Sequence, residues 1–260
     1  MSARTVLSLG GNAILPATGP ARIEEQFRIT EATMREVVEL LRDGDQVILT
    51  HGNGPIVGNI LIRNESAADR IPPTPLYICG ADSQGGIGFM LQQVLGNVLR
   101  AANLPQQVAT VVTQVVVDPN DPGFQNPTKP IGPFYWQEEA RALERERGWA
   151  MVDDAGRGWR RVVASPEPVR IVEMEVIRDL AAQGHIVIAA GGGGIPVEEV
   201  RPGIYRGVEA VIDKDLASVV LADAVGASRL IIVTAVDQVF LHFGSPHQQA
   251  LDRLTCAEAQ

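Results

Sequence analysis

Two lysines and three glycine turns are the residues of this chain best suited to chemistry, and the chemistry they suit is the handling of phosphate. Gly10-Gly11-Asn12, Gly52-Asn53-Gly54 and the run Gly191-Gly192-Gly193-Gly194 each follow a short apolar stretch. Glycine lets backbone N–H groups approach an anion closely, and a following helix N-terminus adds partial positive charge. One such turn is an ordinary strand-to-helix connection. Three of them at the carboxyl ends of strands point to an anion site in the crevice of an α/β sheet. Lys129 lies in the proline-flanked Pro127-Thr128-Lys129-Pro130. The prolines limit the freedom of the loop and hold an ammonium at a defined place, as electrostatic catalysis requires. Asp213-Lys214-Asp215 alternates charge at a helix start. It reads either as an N-cap with a first-turn acid or as a phosphate-binding lysine positioned by Asp215.

Other reactive residue types offer less. No G-x-x-x-x-G-K-[ST] occurs, and no strand leads into G-x-G-x-x-G, so neither a P-loop nor a dinucleotide fingerprint is present. His51 reads as bonded to its own turn rather than as a base, Cys79 as a small buried residue under a turn, and Ser83 as a helix N-cap. The four histidines have no metal-ligand spacing. With 260 residues, 45% hydrophobic and 20% charged, the chain can build one large domain or two small ones. A net charge of −9 argues against nucleic acid and anionic membranes as partners. Two cysteines, no signal-peptide pattern and apolar runs no longer than a strand predict a reducing, cytoplasmic setting.

The elements that must position these residues alternate. Val6–Leu9, Val47–Thr50, Gln107–Val117, Ile186–Ala189 and Leu230–Thr234 read as strands. Ile23–Leu41, Asp82–Ala102, Glu173–Gln183 and a segment from about Asp215 to Ala224 read as helices. Buried strands between helices predict an open, mainly parallel sheet sandwiched between helix layers. The proline-rich 118–133 breaks the rhythm and suits neither a helix nor a central strand. After a helix at Gln137–Arg147, the segments 149–152 and 159–163 flank Asp154-Ala155-Gly156 as a β-hairpin, in which Trp149 and Trp159 would pack across strands. Residues 118–165 are thus expected to stand out as a small lobe within a single 1–260 domain. Thr255 and Glu258 form a capping box, which announces a helix where the chain stops at Gln260. A missing C-terminal segment is the expectation.

Assembled, these stretches resemble carbamate kinase, a member of the amino acid kinase family, along nearly the whole chain. The resemblance rests on LSLGGNA around residues 8–13, THGNGP (50–55), DPNDPGFQNPTKPIGP (118–133), RRVVASPEP (160–168), AAGGGGIPV (189–197) and GVEAVIDKDLAS (207–218). Most relatives carry a lysine just before the first glycine turn. Ser8 stands there, as in carbamate kinase, and Lys129 looks like its replacement.

The resemblance implies the amino acid kinase fold, with an open eight-stranded sheet and the protruding lobe. It implies reversible phosphoryl transfer between ATP and carbamate, run from carbamoyl phosphate and ADP at the end of arginine degradation, with Mg²⁺ and a homodimer. Carbamate is already an anionic nucleophile, so the task is alignment and charge neutralisation. In that scheme Gly10, Gly11, Asn12, Gly52 and Asn53 hold the acceptor and the moving group. Lys129 and Lys214 stabilise charge, with Asp215 orienting both. Gly191, Gly192, Gly193, Asp213, Asp237 and Phe240 lie on the nucleotide side, and Mg²⁺ sits on phosphate oxygens and water rather than in a protein cage. Three features depart from the family pattern: Thr234-Ala235-Val236-Asp237-Gln238-Val239-Phe240 where relatives read TDVD-x-VY, Gly244-Ser245-Pro246 where they read GKP, and the absence of a GSMGPK-V segment whose lysine also contacts phosphates. Alternatives are an impaired homologue that only binds a ligand or partner, and a kinase of acetylglutamate or UMP.

Overall fold

The computed structural model describes all residues except 1–2, 17–21, 43, 155, 235, 237, 256 and 259–260. Five parallel strands form the central sheet in the order β12-β1-β2-β9-β3. They are β1 (Arg4–Leu9), β2 (Gln46–His51), β3 (Val108–Thr110), β9 (Ile186–Ile188) and β12 (Arg229–Val233). The residues of β1 and β2 alternate between two cores, as the period-two pleat demands. Leu7, Leu9, Leu49, Ile186 and Ile188 pack with Met34, Val38, Leu91 and Leu95 from α1 (Ile23–Arg42) and α3 (Leu76–Ala101). Val6, Ile48 and Val187 face the other way, toward Ile177 of α5 (Met174–Ala182) and Ala217 and Leu221 of α6 (Lys214–Val225). Covering both faces removes the strands from water, and each large aliphatic side chain so buried contributes roughly 1.5–3 kcal/mol. This is the predicted sandwich of a mainly parallel sheet between helix layers.

A second, four-stranded sheet has the order β11-β10-β4-β8, built from β4 (Gln114–Val117), β8 (Pro168–Ile171), β10 (Ile195–Arg201) and β11 (Ile204–Gly207). The single strand expected over 107–117 is therefore divided between two sheets. Its break is held by Gln84, which donates from Nε2 to the Thr113 carbonyl (3.1 Å) and accepts from the Thr113 amide (2.8 Å). A long-range side-chain clasp of this kind leaves no local pattern.

Three other expectations change. α3 begins at Leu76, not near Asp82, and a distant carboxylate, Glu209, accepts the Leu76 amide at 3.1 and 3.2 Å. Ser83 consequently lies inside the helix; it donates to the Gly80 carbonyl (2.6 Å) and accepts from Asn53 Nδ2 (2.8 Å). A helix not anticipated, α2 (Gly54–Ser66), follows the second glycine turn with Pro55 in its first turn. In the hairpin of β6 (Ala150–Asp153) and β7 (Trp159–Val163), Trp159 sits opposite Asp153, so Trp149 is not its cross-strand partner. Trp149 instead meets Tyr135 edge-on at 6.4 Å.

Strand β5 (Lys129–Tyr135) pairs with β7 on the edge of a three-stranded sheet, β5-β7-β6, where its prolines need no ladder donors. Helix α4 (Gln137–Arg147) precedes that hairpin and ends at Gly148, whose φ is +65°. A two-stranded ribbon, β13 (Val239–Leu241) with β14 (Gln249–Leu251), follows β12. The capping box forms reciprocally: the Thr255 amide donates to Glu258 Oε2 (2.8 Å) and the Glu258 amide to Thr255 Oγ1 (3.3 Å). No described helix is long and apolar enough to cross a membrane.

Candidate active site

The first two glycine turns and both candidate lysines converge on one cleft of about 330 Å³. Gly11, Gly52, Asn53 and Gly54 form its floor at the carboxyl ends of β1 and β2, and Lys129, Pro130, Asp154, Arg157 and Arg160 face them from the β5-β7-β6 side. Gly192, Ile212 and Lys214 close a third side. The lysines come from positions 85 apart, and each arrives with its own carboxylate. Lys129 Nζ lies 2.5 Å from Asp213 Oδ2. Lys214 Nζ donates to Asp215 Oδ1 (2.5 Å) and to Ser8 Oγ (3.1 Å). Asp215 thus holds Lys214 alone and does not orient both lysines as the sequence reading had it. Asp213 is the partner of Lys129.

Asp213 has a second task that follows from its place before α6. Its Oδ1 accepts the amides of Asp215 (2.8 Å) and Leu216 (3.4 Å), which makes it the N-cap. Burial opposes its ionisation, but the Lys129 ammonium and these two amides outweigh it and hold its pKa below the ordinary carboxylate value. One carboxylate therefore ties the start of α6 to the lysine of β5. Asp213, expected on the nucleotide side, is engaged in this link through both of its oxygens.

The glycine turns divide their work in a way the sequence did not reveal. The Gly10 amide is spent on the Val233 carbonyl (3.1 Å), and the Gly52 amide on the Leu9 carbonyl (3.0 Å). Those bonds fix the turns to the sheet, so neither amide is free for an acceptor. The amides of Gly11 and Asn12 have no protein acceptor among the described residues. Gly10 must still be glycine, because a Cβ there would lie 2.5 Å from the Val233 carbonyl oxygen.

The run Gly191–Gly194 is buried, and three of its residues have φ between +66° and +91°. Added Cβ atoms would collide with His51 Nε2 (2.3 Å, from Gly191), Asn53 Nδ2 (2.2 Å, from Gly192) and the Ile212 carbonyl (2.4 Å, from Gly193). Of the three glycines expected to line a nucleotide, only Gly192 reaches the cleft; Gly191 is packed against His51 and Gly193 against the Ile212 carbonyl. Phe240 lies apart, in a broad hollow of about 1070 Å³ that it shares with Val233, Thr234 and Val236 at the end of β12. Asp237 lies outside the described residues.

His51 is buried and its Nδ1 is 3.0 Å from the Gly52 carbonyl, the bond to its own turn that was expected. Burial drives its pKa down to about 4, so the imidazole is neutral at pH 7. Cys79 is buried within α3 and accepts from Asn64 Nδ2 (3.2 Å). Asp154, Arg157 and Arg160 were missed by sequence reasoning, which saw only a hairpin; the signal available was their closeness in sequence, the first two in its turn and Arg160 on its second strand. Together, Lys129, Lys214, Arg157 and Arg160 against Asp154, Asp213 and Asp215 leave one positive charge at the cleft of a chain whose net charge is −9. That local inversion suits an anionic substrate.

Such a site, with paired lysines and no buried acid–base couple, can align and neutralise transferring phosphate but has little means to abstract a proton. The comparisons agree with it. Residues 3–260 match the model of the amino acid kinase family. The carbamate kinase of Thermococcus kodakarensis is 48% identical over 258 residues, covering 98% of this chain and 82% of that protein. The carbamate kinase-like protein YahI of Escherichia coli is 50% identical over 260 residues, with 99% and 82% covered. The structure of carbamate kinase from Giardia lamblia bound to AMP-PNP superposes with a TM-score of 0.84 at 42% identity, covering 96% of this chain and 79% of that one. The chain belongs to the amino acid kinase family.

Proposed function

We propose that this chain catalyses the reversible transfer of a phosphoryl group between ATP and carbamate. The observation that carries the reading is the arrival of Lys129 and Lys214 at one cleft, each held by its own aspartate at 2.5 Å. Ammonium groups already oriented and partly withdrawn from water need no reorganisation when charge develops on the transferring group. Carbamate oxygen attacks the γ-phosphorus, the bond from that phosphorus to the β-bridging oxygen breaks, and ADP leaves with the electron pair; no proton moves. The relatives named carbamate kinase support this acceptor over acetylglutamate or UMP.

In this reading Gly11, Asn12 and Asn53 hold the acceptor and the moving group, Lys129 and Lys214 carry the charge, and Asp213 and Asp215 keep the lysines in place. The nucleotide lies toward the hollow beside Phe240, which begins at Val233, the strand residue whose carbonyl accepts the Gly10 amide. Among the described residues no group of three or more His, Cys, Asp or Glu side chains could hold a metal ion. Mg²⁺ would enter with the nucleotide on its phosphates rather than in a protein cage and would supply neutralisation of their charge. The homodimer and the direction toward ATP in arginine degradation follow from the resemblance alone, while the cytoplasmic setting rests on the cysteine usage and the 118–165 lobe on its proline-rich start and hairpin.

A coupled assay for ATP formed from ADP and carbamoyl phosphate with Mg²⁺ tests the reading. Lys214→Ala is expected to lower kcat by about 100-fold or more, the size of losing one pre-organised charge-stabilising group. Absence of turnover at every Mg²⁺ concentration, or retention of full rate by Lys214→Ala, would sink it.

A further inference from the structure

The hairpin of β6 and β7 brings to the cleft a guanidinium that the reaction as described does not use. Arg160 is firmly held: Nε donates to the Gly132 carbonyl (3.2 Å), Nη1 to Asp154 Oδ2 (3.2 Å), and the guanidinium carbon lies 5.3 Å from the centre of the Phe134 ring. The side chain is only 12% exposed. Yet its Nη2 is buried and has no hydrogen-bond partner among the described residues. A buried charged donor left unmatched is rare, and it calls for a partner the protein itself does not supply.

The position of Nη2 indicates what that partner is. It lies 4.0 Å from where a Cβ on Gly54 would stand, at the first residue of α2, where unpaired helix amides favour an anion. The methylenes of Lys214 lie 3.3 and 3.5 Å from the equivalent point on Gly52. Two cations therefore stand over successive glycines of one turn, with Asn53 between them. A small two-ended anion lying along the turn meets an ammonium at one end and a guanidinium at the other. Either cation can meet phosphate or carboxylate, but Lys214 and Lys129 already place two point charges for the phosphoryl end, and the guanidinium arm adds a directed N–H that a carboxylate or carbonyl oxygen accepts.

We infer that Arg160 is a specificity-determining residue that donates from Nη2 to the carbamoyl or carboxylate oxygen of the acceptor, resting on the phosphoryl-transfer reading above. Asp154 is its positioning residue, fixing the guanidinium so that one arm stays free. Arg157 is not equivalent. It is 65% exposed and paired with the same Asp154 in water, where it contributes little.

Arg160→Lys keeps the charge and removes the second arm, and Arg160→Gln removes both. Initial rates are measured with carbamoyl phosphate and with Mg-ADP varied separately, alongside calorimetric binding of carbamoyl phosphate alone. The KM for carbamoyl phosphate is expected to rise about tenfold or more in Arg160→Lys, the scale of a charge-assisted hydrogen bond. The KM for ADP should stay within about twofold, and the calorimetric Kd should follow the first value. An unchanged KM for carbamoyl phosphate, or an equal rise in both, overturns the assignment, because a loosened hairpin would affect both substrates. Should the parent chain bind carbamoyl phosphate without turning it over, the transfer reading fails, while weaker binding by Arg160→Lys upholds the role of Arg160. A parent that binds none refutes both.

Discussion

Acid should weaken this fold through His51 in particular. The imidazole is buried at the end of β2, one ring nitrogen bonded to the Gly52 carbonyl and the other against Gly191, where an added methyl would lie at 2.3 Å. Burial lowers its pKa from 6.5 to about 4. The folded chain therefore binds fewer protons than the unfolded chain between those values. Stability present above pH 6.5 is lost as pH falls toward 4, because protonation favours the unfolded state throughout that window. At about 1.4 kcal/mol per pKa unit, the full loss is on the order of 3 kcal/mol, a large part of the 5–15 kcal/mol typical of a folded domain. The assay is urea unfolding of the parent and of His51→Asn at several pH values from 7.5 to 4. The variant carries a pH-independent penalty for its smaller side chain, but its loss on acidification should be smaller than the parent's by about 3 kcal/mol. Other titrating groups cancel in the difference. Parallel profiles, or a His51 ring that titrates near 6.5 by NMR, would refute the reasoning.

Two further substitutions probe the supports of the cleft. Asp213→Ala removes both the cap of α6 and the partner of Lys129, and should cost roughly 0.5–2 kcal/mol at pH 7 by urea unfolding. Since the pKa of Asp213 is lowered in the fold, that difference should shrink as pH falls below about 4, and a difference that persists there would contradict its origin in the ionised carboxylate. Gly58→Ala ought to help an ordinary helix, but here its methyl would lie 2.0 Å from Gly132 Cα, where α2 meets β5. We expect a loss of about 1–3 kcal/mol from that overpacking, with Gly85→Ala, which meets nothing within 4 Å, neutral or stabilising by comparison.

Much of the framework was legible because it is local. The apolar runs of β1 and β2, the one-sided apolar stripe of α1 and the glycines ending α4 and α6 each express a short-range rule, so order and sandwich architecture could be read. The glycine turns and the two lysines were likewise recognisable by residue type and spacing. Helix α2 was harder: its buried face is carried by Val57, Gly58 and Leu61 alone, and a glycine there looks like a breaker until Gly132 is seen against it. The early start of α3 was illegible for a similar reason, since the carboxylate that accepts its first amide stands 133 residues away.

The glycine turns and the lysines on which the chemistry rests were thus determined by the sequence alone, together with the parallel sheet that carries them. Tertiary structure decided what each group is free to do. It spent the amides of Gly10 and Gly52 on neighbouring strands, turned Gly191 and Gly193 into packing surfaces for His51 and Ile212, and gave Lys129 to Asp213 and Lys214 to Asp215. It also left one arm of Arg160 without a partner. Residue type states which hydrogen bonds and charges a group can offer. Only the placement of groups far apart in the chain decides which of those are consumed in holding the fold and which stay open for a ligand.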